Sequence, residues 1–81
     1  MNMNTPPSDN LPLSNRDRLE IVLRHSGEPT YNALARRLGL KRGENLYQVL
    51  KGNYGISRRL ADRIHTVFPA FSIGWLTIAD S

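Results

Sequence analysis

The sequence predicts a compact all-α domain of five short helices, and three observations carry the prediction. Apolar residues recur at the three- and four-residue spacing of a single helical face in one segment after another. These segments are punctuated by Ser, Thr, Gly and Pro where helix caps and stops belong. No alternating apolar and polar run of useful length argues for a strand.

The elements follow in order. Ser14 with Asp17 makes a capping signal, and Leu19, Val22 and Leu23 form an inward face that ends near Gly27. Glu28, Pro29 and Thr30 break the chain, and Thr30 suits the N-cap of a second helix. There Tyr31, Leu34, Ala35 and Leu38 share one face, and Gly39 stands where a left-handed C-cap is expected. A third helix runs from Gly43 or Glu44 to Lys51, with Leu46, Val49 and Leu50 inward and Gly52 as its stop. Ser57 caps a fourth, whose buried stripe is Leu60, Ala61, Ile64 and Val67 or Phe68, and Pro69 closes it. Ser72 caps a last short helix bearing Trp75 and Leu76, with Phe71 and Leu76 placed as a hydrophobic staple. Residues 1–13 are polar and proline-broken and read as a disordered leader. The domain then spans 14–78, with a flexible C-terminus at 79–81.

With 81 residues the chain supports one small core. Cysteine is absent, so neither a disulfide nor a thiolate metal site supplements it. No long apolar run or secretory signal occurs, which makes a cytoplasmic protein the expectation. Charge is the sharper clue, with a pI near 10.1. Between Arg36 and Arg63 stand eight basic side chains (Arg36, Arg37, Lys41, Arg42, Lys51, Arg58, Arg59, Arg63) against Glu44 and Asp62. That net of +6 exceeds the +4 of the whole chain. Such a region attracts nucleic acid or another acidic partner, or it is an ordinary solvated face.

Only about four residues, Gly39 to Arg42, separate the second and third helices, which favours a steep crossing over an antiparallel hairpin. Ala35 permits close approach and Gly39 the turn. With Leu46 and Val49 inward, Glu44, Asn45, Tyr47, Gln48 and Lys51 face out, preceded by Lys41 and Arg42. Amide side chains can pair with adenine, arginine with guanine and glutamate with cytosine in the major groove. Tyr47 and Lys51 are long enough for phosphates. An ordinary surface helix would carry spaced Glu and Lys pairs instead.

The segments "YNALARRLGL" and "NLYQVLKGNYGISRRLADRI" resemble the lambda-repressor-like (Cro and XRE type) helix-turn-helix family. The variant common in Bacteroidetes is most similar, through "ISRRLADRI", Pro69 and "GWLTIAD", and the resemblance spans residues 16–78. It implies a five-helix DNA-binding domain of a transcriptional or prophage regulator, a repressor or Cro-like protein. Its third helix would lie in the major groove, in a homodimer on a palindromic operator. Carried over by position, it implies base reading by Arg42, Gly43, Glu44, Asn45 and Gln48. Phosphate contacts would fall to Lys41, Tyr47, Lys51, Asn53, Ser57 and Arg58. The turn after Gly39 is one residue longer than the family's usual one, and "TIAD" replaces its Thr-Gly-Glu-Gly ending. The chain is then either a complete Cro-like regulator or the N-terminal domain of a longer repressor.

Other classes fit less well. His25 and His65 fall on different predicted helices with no nucleophile motif, so catalysis is not expected. "GNYG" follows a helix and lacks the Gly-Lys-Ser/Thr end of a phosphate loop. No cofactor, metal, small-molecule substrate or membrane partner is expected. Trp75, Phe68 and Phe71 read as core aromatics, with a dimer contact as their alternative. RNA binding has only Tyr47 and Tyr54 to stack bases near the basic residues. The rival reading is a protein-interaction module, an antitoxin-like or phage-control subunit that binds an acidic partner through the same face.

Overall fold

Hydroxyl side chains set four of the five helix starts. The computed structural model describes residues 13–78, in which α1 (Asn15–Ser26), α2 (Tyr31–Arg37), α3 (Glu44–Leu50), α4 (Arg58–Val67) and α5 (Ile73–Thr77) follow one another with no strand among the described residues. Ser14, Thr30, Ser57 and Ser72 each accept a hydrogen bond from the backbone N–H three residues on, removing one unpaired donor per helix. At α1 the Asp17 carboxylate returns the bond to the Ser14 N–H, completing the capping box. Only α3 starts without a side-chain cap, from Gly43.

The periodic stripes meet in one core. Leu19 and Val22 of α1, Leu34 and Ala35 of α2, Leu46 and Val49 of α3, and Leu60, Ala61 and Ile64 of α4 are buried together. Leu38, Phe68 and Leu76 join them from the helix ends. Helix α1 packs on α2 and α3, α2 on α3, and α4 on α5. Ile56, which immediately precedes the Ser57 cap of α4, is fully buried as well. Phe71 stacks on Trp75 at 5.5 Å between ring centroids, and both lie against the core that Leu76 enters. His25 presents edge-on contacts to Phe68 and Phe71, and His65 Nδ1 hydrogen-bonds the Phe71 carbonyl at 2.8 Å. Both histidines thus belong to this aromatic cluster.

The leader expected over residues 1–13 lies outside the described residues except for Leu13, and so does the flexible end at 79–81. Leu13 itself is half-buried, and its carbonyl accepts from Arg18. Arg18 is the unexpected member of the interior, at 4% exposure. Its Nε donates to the Trp75 carbonyl at 2.9 Å, its Nη1 to the carbonyls of Leu13 and Ser14, and its guanidinium lies 5.4 Å from the Trp75 ring centroid. A carbonyl near the end of α5 carries part of that helix's negative pole, a favourable partner for a cation. One side chain therefore joins the start of α1 to α5, fifty-seven residues away.

No helix among the described residues is long and apolar enough to cross a membrane. Arg18→Ala should lower stability by about 2–3 kcal/mol, because it removes a buried side chain and strands partly buried carbonyls that now accept charged hydrogen bonds. Urea unfolding will read this as a lower midpoint at unchanged slope. Arg18→Lys, without the forked donors, should recover less than half of the loss.

Candidate nucleic-acid interface

Two glycines frame the outward helix. Gly39 adopts φ 82° and Gly52 φ 87°, a left-handed region costly for side chains other than Gly, Asn and Asp. Each gives the same double hydrogen-bonded stop. After α2, Gly39 N–H donates to the Arg36 carbonyl and Leu40 N–H to the Ala35 carbonyl. After α3, Gly52 N–H donates to the Val49 carbonyl and Asn53 N–H to the Gln48 carbonyl. Six residues, 38–43, separate α2 from α3, where the sequence suggested about four. Leu38 ends α2 as its cap, and Gly43 precedes the first turn of α3.

Gly43 departs most from its expected role. It is buried, and a Cβ at this position would overlap the Asn32 amide oxygen and crowd the Tyr47 ring. Covered by Asn32 and lacking a side chain, it serves as a packing position between the starts of α2 and α3 and offers nothing to a base. Asn32, which no sequence signal singled out, makes this junction. Tyr47, 39% exposed, lies edge-on to Tyr31 at 6.2 Å between centroids.

The remaining outward residues of α3 stand free of the core. Leu46 and Val49 are buried, while Glu44, Asn45 and Lys51 are exposed and Gln48 is half-buried. Arg42 and Glu44 approach to 4.0 Å, but their side chains are 82% and 66% exposed, so water screens the pair and holds neither group. Gln48 is engaged: Asn53 Nδ2 donates to its Oε1 at 2.5 Å. Two residues assigned separate roles from the sequence thus form one unit. Beside them a groove of about 440 Å³ is lined by Asn45, Val49, Tyr54, Gly55, Ser57 and Leu60. The start of α4 therefore adjoins the outward side of α3. A second hollow of about 350 Å³, lined by Leu40, Lys41, Arg42, Glu44 and Asn45, lies at the start of α3.

The basic region divides into two populations. Arg37 bridges to Glu28 at 3.0 Å, donates to the Ser26 carbonyl and lies over Phe68 at 5.2 Å. Arg63 donates to the Leu38 and Gly39 carbonyls at 3.2 and 3.4 Å, where it satisfies the end of α2. Both are spent on the fold, which the sequence count could not separate from the rest. Arg36, Lys41, Arg42, Lys51, Arg58 and Arg59 are exposed. The Ser57 hydroxyl is the cap of α4, accepting from Leu60 N–H at 3.1 Å, with Arg58 and Arg59 in the first turn. Comparison with protein families, with curated proteins and with solved structures finds no match for this chain.

Two stability measurements separate framework from surface here. Ser57→Ala should cost about 1 kcal/mol through the lost cap, whereas Arg58→Ala should stay within about 0.5 kcal/mol of the parent. A second test uses Tyr31, whose phenol is held above its ordinary value of 10.0 by burial and then by the Glu20 carboxylate. The folded chain binds that proton more tightly than the unfolded chain. Its contribution is complete below the unfolded value and is lost as pH rises through the folded one. Urea midpoints should therefore fall on the alkaline side of 10.0, and Tyr31→Phe should flatten that fall.

Proposed function

We propose that this chain is a cytoplasmic, sequence-specific double-stranded DNA-binding protein, a transcriptional regulator of the repressor or Cro-like kind. In this reading α2 and α3 form a helix-turn-helix pair and α3 lies in the major groove, in a homodimer on a palindromic operator. The observation that carries it is the division of α3. Leu46 and Val49 are buried, while Glu44, Asn45 and Gln48 lie on its other side between cations at both ends. Amide and acid side chains match the donors and acceptors of base edges, and Asn45, a weak helix former, adds little to the helix it stands on.

The roles follow from that placement. Arg42, Glu44, Asn45 and Gln48 read bases, and Gly43 drops out because it is covered. Lys41, Lys51 and Arg58 neutralise phosphates, and the Tyr47 hydroxyl donates to one. Ser57 acts chiefly through the α4 start that it caps, where unpaired N–H groups favour an anion. Asn53 acts on Gln48. Catalysis has no part in this reading.

Selection from a randomised duplex library, followed by nuclease protection, should return an inverted repeat. Binding should weaken with salt at a log–log slope of about −0.9 per phosphate neutralised. Gln48→Ala should cost about 1–3 kcal/mol and relax selectivity at one base position per half-site, whereas Lys51→Ala should weaken all duplexes alike. Equal losses on selected and random duplex for both variants would remove Gln48 from the readers. Tight binding to an acidic protein with no duplex selectivity would favour the interaction-module reading instead.

A further inference from the structure

A glutamine in a major groove is ambiguous, because its amide offers an acceptor on one side and two donors on the other. In this chain the end of α3 bears on that choice. Gly52, at φ 87°, turns the backbone so that Asn53 N–H meets the Gln48 carbonyl at 3.0 Å. The same turn brings the Asn53 side chain to the Gln48 side chain, where Nδ2 donates to Oε1 at 2.5 Å. Main chain and side chain thus hold the same pair of residues twice. Oε1 accepts from Asn53 in the loop, and no acceptor among the described residues takes the Nε2 hydrogens. Nor does Nε2 count among the buried unpaired polar atoms, so it is open to a ligand.

From this pairing, and resting on the DNA-binding reading above, we propose that Asn53 is a positioning residue that makes Gln48 a guanine reader. The chemistry is a matter of matching donors to acceptors. Guanine presents two acceptors in the major groove, N7 and O6, whereas adenine presents the N7 acceptor beside the N6 donor. An amide with its oxygen free takes both groups of adenine. With its oxygen turned onto Asn53, it leads with its N–H groups, and adenine's N6 then faces another donor. Guanine accepts at both atoms.

Asn53→Asp tests this directly, since a carboxylate only accepts. Gln48 must then donate Nε2 to residue 53 and turn Oε1 outward, towards the N6 of adenine or the N4 of cytosine. The full chain, Gln48→Ala, Asn53→Asp and Asn53→Ala are each put through selection from a randomised duplex library. Far-UV circular dichroism checks that helix content is kept. The position read by Gln48 is the one whose preference collapses in Gln48→Ala. The parent chain should favour guanine over adenine there by roughly 5- to 100-fold. Asn53→Asp should reverse that order, and Asn53→Ala should bring the two purines within a few-fold. The added carboxylate lowers affinity for every duplex, so the order of bases at that position is the readout.

An adenine preference in the parent chain, or a guanine preference that survives Asn53→Asp, overturns the role of Asn53 and leaves the DNA-binding reading intact. A parent chain with no sequence preference overturns both.

Discussion

The left-handed turn at Gly39 is the constraint on which the rest of this molecule depends. Without it α2 would continue beyond Leu38, and the six residues before α3 could not bring Leu46 back under α1. The turn is held from three sides. Its own backbone closes two hydrogen bonds onto α2, and Arg63 of α4 donates to the carbonyls of Leu38 and Gly39. Leu38 is buried immediately before it. A Cβ on Gly39 would lie 2.9 Å from Arg63 Nη1, so strain at a positive φ and loss of the α4 clamp would come together. Position 39 therefore couples the path of the backbone to the docking of α4 on the helix pair.

Arginine performs opposite tasks in this chain, and the partner decides which. Arg18, Arg37 and Arg63 each donate to backbone carbonyls, and Arg37 also bridges to Glu28. Carbonyls at helix ends are orphan acceptors with partial negative charge, so an arginine placed there is stabilised without another charged group. Of these only Arg18 is buried; Arg37 and Arg63 are exposed like Arg36, Arg42, Arg58 and Arg59, which make no such bond to a carbonyl among the described residues. The fold thus ties some of its arginines to main-chain carbonyls and leaves others free near α3 and the start of α4, where an anionic ligand would meet them.

Local signals made most of the fold legible in the sequence. Ser14, Thr30, Ser57 and Ser72 mark helix starts through bonds to a backbone three residues away, and Gly27, Gly39 and Gly52 mark stops through their own dihedral angles. Ile56 and Arg18 were not legible, because their burial is decided by distant elements. Ile56 stands before the cap of α4, outside any helix, and the main partner of Arg18 is α5. The candidate site divides in the same way. The outward positions of α3 follow from where Leu46 and Val49 must point. The covering of Gly43 depends on Asn32 of another helix, and the Gln48–Asn53 pair depends on a turn that reverses the chain onto itself.

The outer face of α3 can carry such residues only because its inner face does the stabilising. Seven residues cannot sustain a helix in water, since nucleation costs more than so few hydrogen bonds return. Asn45 and Tyr47 lower the propensity further. What keeps α3 helical is Leu46 at no exposure and Val49 at 3%, together with packing against α1 and α2. Once that side is fixed, the other is released from any duty to the fold, and its residues can be chosen for chemistry. Asn45 shows this freedom, for it lines both the groove towards α4 and the hollow before α3 while exposed to solvent. Gln48 is the exception that refines the rule. Its side chain is tied down by Asn53, and a bond between two polar groups at the surface adds little stability. A contact of that kind fixes orientation, and orientation is what discrimination between bases requires.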